Sequence, residues 1–423
     1  MIITAPPAGS RIPLEQIDLA STDLYTSGDA HLVWQTLRAE QPIFWQSRPD
    51  GEGFWAVTRW PDVRRVLAEH ETFSSEAGTA IAMLGSPDPA ARLMMHSTDP
   101  PRHTQFRGQL RESYSAHGVA RYRQRIKAIV REAIRPVLDG EIWDAAAAFK
   151  RMPMAVGAML MELPESDIDP LLRLAYAALA PLDERFSDGT PDAAFYAHCE
   201  IIAYFMAVIN ERRNQMSDDV IGILLSMEVD GNRLSEQELY VNCLSLLLGA
   251  VVTTSQAISA TLTALADQNG GEGRWPRPTP VRAAVEEGLR WSSPVTHFMR
   301  RARRDLDLHG TTIHAGDAVT AWIASANRDD SVFERPFTLD LERWPNRHIA
   351  FGSGPHLCLG NHVARLMLQE SFEELIATVE SFELAGPPSH LVSNEIAGVV
   401  SLPLRLSLRA DAPQRLGSSL TSR

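Results

Sequence analysis

One cysteine sits in a glycine-rich loop, Phe351-Gly352-Ser353-Gly354-Pro355-His356-Leu357-Cys358-Leu359-Gly360, just before an apolar helical run from Leu359 to Ile376. A thiolate there suits a soft metal centre. The glycines let the backbone approach a flat ligand and aim N–H groups at the sulfur. His-x-Cys is also half of a zinc site, but no second pair completes it. In Asp99-Pro100-Pro101-Arg102-His103-Thr104-Gln105-Phe106-Arg107, His103 and Arg107 stand four apart and share a helix face. Such a pair either clamps an anionic group or is a solvated surface pair. Glu287 and Arg290, three apart, also share a face; on a surface they are worth little. Gly249-Ala250-Val251-Val252-Thr253-Thr254 either opens a helix toward a ligand or packs with its hydroxyls bonded back to their own turn.

These residues need elements to hold them. Residues 1–30 are Pro-, Ser- and Asp-rich and read as an irregular surface strap. His31–Glu40 reads as a short helix. Pro42–Trp45 and Phe54–Thr58 read as a hairpin with turn chemistry at Asp50-Gly51. Pro61 opens a helix through Glu69. Residues 70–98 lack periodicity and form either a functional loop or a mobile surface loop. Helical stretches follow at Val119–Leu138, Asp144–Leu163 (interrupted at Pro153), Leu171–Ala180, Ala193–Arg213 and Asp218–Met227. Ser235-Glu236-Gln237-Glu238 is a capping box. The apolar run after it, Leu239 to Ala266, predicts a helix of about thirty residues spanning roughly 45 Å, buried through the centre. Val281–Trp291 is helical and Val295–Ala324 strand-rich. Ser381–Leu384 and Val399–Leu408 are terminal strands, with a disordered tail beyond about residue 410.

The chain has 423 residues, 44% hydrophobic and 22% charged, an ordinary globular composition; length alone suggests two or three domains. A net charge of −13 argues against a nucleic-acid partner. No run approaches about 18 apolar residues, which argues against a membrane span. The first residues do not read as a secretory signal. Cys199, Cys243 and Cys358 are distant and odd in number, which fits a reducing, cytoplasmic setting.

Together these motifs resemble the cytochrome P450 superfamily, the haem-thiolate monooxygenases of soluble bacterial type, over roughly residues 15–408. The cysteine loop matches F-G-x-G-x-H-x-C-x-G without departure. Glu287-x-x-Arg290, the central helix, Asp99-Pro100-Pro101-x-His103-x-x-x-Arg107 and Ala326-Asn327-Arg328-Asp329 follow in the family's order. The resemblance implies one mainly α domain with a smaller β part over residues 1–423, flexible at about 1–15 and 410–423. It would be a triangular helical prism built around the long central helix and the cysteine-loop haem site. Cys358 would ligate haem b iron. Phe351 would pack beside the sulfur, Gly352, Gly354 and Gly360 would allow the tight loop and the helix's close approach, and Leu357 would also be among the haem-binding residues. His103, Arg107, Arg300 and His356 would bind the propionates. Glu287 and Arg290 would form a structural ion pair with the region near Arg343.

Thr253 would take the family's catalytic hydroxyl position on the other haem face, with Ala250 beside it. Here the sequence departs: Val252 stands where the family usually has an acid, and a valine cannot relay protons. The loop at 78–98 would cover the substrate. Its Ile81, Met83, Leu84, Met94 and Met95 are candidate pocket residues. So are Leu246, Ala250, Val295, Phe298, Ile396 and Ala397, with His297 as a polar member.

The implied activity is insertion of one oxygen atom from O2 into a mainly apolar small molecule, by hydroxylation or epoxidation. The substrate would be a natural-product intermediate, free or carrier-protein bound. Electrons would come from a ferredoxin and its reductase, with NAD(P)H acting only through them, and the enzyme would be a monomer. Arg102, Arg111, Arg343, Arg347 and Arg365 are candidates for a basic docking patch. A non-hydroxylating oxidation such as coupling or ring formation is the alternative. A haem-binding sensor is a further one from a different class.

Overall fold

The computed structural model describes residues 1–417 except 2, 4, 8, 50, 87, 139, 141 and 216. The Asp50 half of the expected turn and the last six residues of the expected tail lie outside the described residues. Helices dominate, and a five-stranded sheet lies against them. In that sheet the hairpin Ile43–Arg48 and Gly51–Val57 is followed by Ala318–Ala321, Phe298–Ala302 and Phe73–Ser74. Ala318–Ala321 runs parallel to Gly51–Val57, with Val319 opposite Trp55, and antiparallel to Phe298–Ala302.

The central run starts at the predicted capping box. The Ser235 hydroxyl accepts from the Glu238 N–H at 3.3 Å, and the Glu238 carboxylate accepts from the Ser235 N–H at 2.7 Å. The run forms not one helix but two, Glu236–Val251 and Thr253–Asp267, meeting at Val252. Asp192–Arg212 and Glu236–Asp267 are each long and apolar enough to cross a membrane by length and composition, contrary to the expectation. The central stretch, however, is 67% buried inside the protein.

Three expectations are corrected. Pro153 does not interrupt its helix, which runs unbroken over Ala145–Leu160; burial on nearly every face offsets the missing backbone donor. The N-terminal strap is largely at the surface but not confined to it. Leu19 and Tyr25 are fully buried, and Tyr25 stacks on Trp322 at 6.1 Å in a second core. In place of a disordered tail, Ala412–Gly417 is helical, with Ala412 and Leu416 buried.

The Glu287–Arg290 pair is wholly buried and bidentate, with two contacts of 2.7 Å. Glu287 also accepts from Arg343 at 3.1 Å, Asn346 at 2.9 Å and the Asp340 N–H at 2.9 Å. Arg290 donates to the carbonyls of Asn327 and Pro336 at 3.0 and 2.9 Å. Removing one partner leaves the other charge buried and unpaired. Glu287→Ala is expected to destabilise the fold by about 3–5 kcal/mol, read by denaturant titration. A change below about 1 kcal/mol, the range of an exposed pair, would show that the pair carries no structural weight.

Candidate haem-thiolate site

The cysteine loop is shaped by its glycines. Gly352 and Gly354 have φ of +75° and +74°. At Gly354 an added Cβ would lie 2.5 Å from the Ala68 Cα, so the loop packs on the helix Trp60–Ala68 only with glycine there. The Cys358 N–H donates to the Phe351 carbonyl at 2.8 Å and closes the loop. The Asn361 amide donates to the Cys358 carbonyl at 2.8 Å, joining the loop to the helix Asn361–Thr378. The Phe351 ring lies under the Arg365 guanidinium, 4.6 Å from its centroid. Burial pushes the Cys358 thiol up, while the Gly360 N–H, Arg107 and Arg365 pull the other way. A bound metal cation would supply the remaining pull toward thiolate.

The four predicted propionate binders come together. The rings of His103 and His356 are 4.2 Å apart. Burial lowers His103 to about 3 and also lowers His356; the neighbouring cations add to both. Arg300 is 3% exposed, and burial lowers it to about 10. Its guanidinium donates only to the carbonyl of its neighbour Met299, at 2.8 Å, among the described residues. Arg107 has no hydrogen-bond partner among them. The nearby carboxylate is Asp99. Burial opposes its ionisation, but His356, Ser74, the Ser75 N–H and Arg303 outweigh burial and hold its pKa well below the usual carboxylate range. Those contacts occupy its oxygens, with Ser74 at 2.6 Å and the Ser75 N–H at 3.0 Å. Arg300 and Arg107 therefore form no ion pair among the described residues, although the Asp99 charge still favours the charged form of Arg300. A thiol, one buried and one half-buried guanidinium with no ion pair among the described residues, and two imidazoles are donor chemistry that suits a haem with two propionates.

On the central run, Thr261 and Thr263 bond back to carbonyls four residues earlier, at 2.7 and 2.9 Å. Thr253 does not, and its hydroxyl has no partner among the described residues. Val252 is fully buried. Ala250, before it, is half-buried. Its methyl faces Gly157, where an added Cβ would lie 3.4 Å away. Gly249 instead has nothing within 4 Å of an added Cβ.

The predicted pocket residues fall into separate clusters. Ile81, Leu84 and Ala397 pack with Met299 in the second core, and Met83 meets Met299 near Gly78. Met94, Met95 and Ile396 join the main core, with Leu246 and Val295 packed against it. Phe298 packs on a third cluster. His297 lies tilted against Trp322 at 4.4 Å and is 3% exposed, and its Nε2 is inaccessible and without a partner among the described residues. The arginine patch is corrected. Arg102 pairs with Asp230 and Glu238, Arg343 with Glu287 and Arg365 with Glu286, leaving Arg111 and Arg347 exposed. Sequence reasoning missed His96, Ser245 and Asn242, which tie the irregular segment to the central helix. No periodicity or motif marks them.

Residues 174–270 and 280–408 match the model of the family described as Cytochrome P450. The chain is 34% identical over 406 residues to cytochrome P450 NovI of Streptomyces niveus, covering 95% of this chain and 99% of that one. It is 30% identical to linalool 8-monooxygenase of Pseudomonas putida, over 92% and 98% of the two chains. The crystal structure of P450 OxyD, involved in the biosynthesis of vancomycin-type antibiotics, superimposes with a TM-score of 0.81. It is 32% identical and covers 93% of this chain and 100% of that one. The chain belongs to the cytochrome P450 family and is a P450 monooxygenase. The family implies haem with a cysteine thiolate ligand.

Replacing Arg300 with Met removes a charged donor worth about 1.5–3 kcal/mol. We expect haem transfer to a scavenging apoprotein to accelerate roughly ten- to hundredfold. An unchanged transfer rate would remove Arg300 from the haem site.

Proposed function

We propose that this enzyme inserts one oxygen atom from O2 into a mainly apolar organic molecule, an intermediate of natural-product biosynthesis. The observation carrying this is the closed Cys358 loop beside the uncompensated cations Arg107 and Arg300, with Thr253 on the central run. Haem, when bound, supplies oxygen activation at an iron held by a thiolate. Cys358 would provide that thiolate, and Phe351 and Arg365 cover the loop that carries it. Arg107, Arg300, His103 and His356 would neutralise the propionates. Thr253 holds a proton at Oγ1 and, with no partner among the described residues, can pass it on and recover one from water. Val252 cannot take part, so proton resupply falls to water or to a substrate group. NovI and OxyD, and the P450BioI structure solved with an acyl-carrier-protein-linked acid, support a biosynthetic substrate, either free or on a carrier protein.

Electrons would come from a ferredoxin and its reductase. With Arg102, Arg343 and Arg365 already paired, Arg111 and Arg347 remain as the charges for docking. A second reading rests on Val252: a buried aliphatic residue in place of an acid suits an oxidation that ends in coupling or ring formation, with no oxygen added.

Product mass separates the two, since only insertion adds an oxygen atom, while substrate-dependent consumption of reductant and O2 establishes catalysis. The reduced carbon-monoxide complex is expected to show thiolate ligation, and a histidine-type spectrum would overturn the assignment. Val252→Asp is expected to raise the fraction of reductant recovered in product. Unchanged coupling would mean that proton delivery does not limit the enzyme.

A further inference from the structure

One carboxylate reaches both ends of the cysteine loop. Glu286 lies on the helix Val281–Ser292, one residue before the buried Glu287. Its Oε1 accepts from Arg365 Nε at 2.7 Å and its Oε2 from Arg365 Nη2 at 2.9 Å, a bidentate pair. Oε2 lies 2.8 Å from His348 Nε2 as well. The other ring nitrogen settles the direction of that contact. His348 Nδ1 stands 3.2 Å from the Ala350 backbone nitrogen, whose N–H can only donate. Nδ1 therefore accepts, the ring proton is on Nε2, and Nε2–H donates to Glu286.

Each partner leads to a different end of the loop. His348 holds the N–H of Ala350, just before Phe351. Arg365 Nη1 donates to Asn361 Oδ1 at 2.9 Å, and Asn361 Nδ2 donates to the Cys358 carbonyl at 2.8 Å. The Cys358 N–H returns to the Phe351 carbonyl at 2.8 Å. The contacts thus close a ring that starts and ends on Glu286.

The same ring carries charge. The Arg365 guanidinium lies 4.6 Å from the Phe351 ring centroid. Against the burial that raises the Cys358 thiol, its charge acts with the Gly360 N–H and Arg107 toward thiolate. A cation beside the sulfur holds negative charge there and weakens what the thiolate can donate to a metal. Glu286 meets that cation directly. Its side chain is 14% exposed and that of Arg365 35%, so water screens the pair only in part. We propose that Glu286 is a positioning residue acting through Arg365 and His348: it ties both ends of the Cys358 loop and offsets the Arg365 charge, and so sets the reduction potential of the haem bound there.

This role rests on the haem-thiolate reading, and the holoenzyme tests the two separately. A wild-type reduced carbon-monoxide complex without thiolate ligation would overturn that reading and this role with it. With thiolate ligation present, the reduction potential of the wild type and its variants tests Glu286 alone. Glu286→Gln keeps polar atoms and removes the charge. At a fixed applied potential its reduced-to-oxidised ratio should rise roughly tenfold, about 59 mV for one electron. Arg365→Gln should lower the ratio by a similar factor. With both substitutions neither charge remains, and the ratio should return to within about threefold of the wild type. His348→Ala keeps both charges and should stay within about twofold. A loop that is merely loosened would move both single variants the same way and the double variant at least as far. That pattern, or an unchanged potential in Glu286→Gln, overturns the proposal. If Glu286→Gln fails to retain haem, the double variant decides. Haem retention with a near wild-type potential supports the role, and loss of haem in the double variant as well overturns it.

Discussion

Two adjacent carboxylates on one helix, Glu286 and Glu287, hold the cysteine side of the molecule in place. Glu287 has no exposed surface. It is paid for by Arg290, Arg343, Asn346 and the Asp340 N–H, which anchor the irregular polar segment leading to the loop. Glu286 faces the other way, accepting from Arg365 at 2.7 Å and from His348 at 2.8 Å. Burial alone would raise both carboxyl groups. The opposing cations and donors win, and both stay ionised, Glu286 with a pKa lowered to about 2. A charge buried at this depth must be met on every side, so its partners cannot drift. The loop carrying Cys358 inherits that rigidity through Arg365, Phe351 and Asn361.

The opposite arrangement prevails at the propionate side. Arg300 is also buried and Arg107 half-buried, but among the described residues neither forms an ion pair, because Asp99 is committed to Ser74, Ser75 and Arg303. One cluster is electrically closed and therefore structural. The other is left open by the protein, as a site for a dianionic ligand would be. The same rule, that a buried charge needs a partner, separates the two roles. The distal side follows a similar contrast: Thr261 and Thr263 satisfy their hydroxyls within the helix, and Thr253 does not.

Much of this was legible in the chain. The capping box at Ser235, the helix start at Asp99–Pro101 and the cysteine loop are local: their partners lie within a few residues, so spacing alone defines the geometry. Helical periodicity placed Glu287 and Arg290 on one face. Three sequence-based readings failed for one shared reason. Pro153 stays inside a helix because neighbouring elements bury it. The N-terminal strap is held by Trp322, nearly three hundred residues away. Arg102, Arg343 and Arg365 are lost as surface charges to partners that no sequence window contains.

The sequence by itself determined the cysteine loop and its candidate ligand, the candidate cations for a dianion, the absence of an acid at Val252 and the mainly helical class. Each depends on residue type and short-range spacing, which folding does not alter. Only the tertiary structure decided which way side chains face. It turned Ala250 toward Gly157 and left Gly249 open, and it drew His297 into the aromatic cluster. It also set His96 against Ser245. A side chain's direction is set by what packs on the far side of its element. Those contacts join residues up to hundreds of positions apart in the chain.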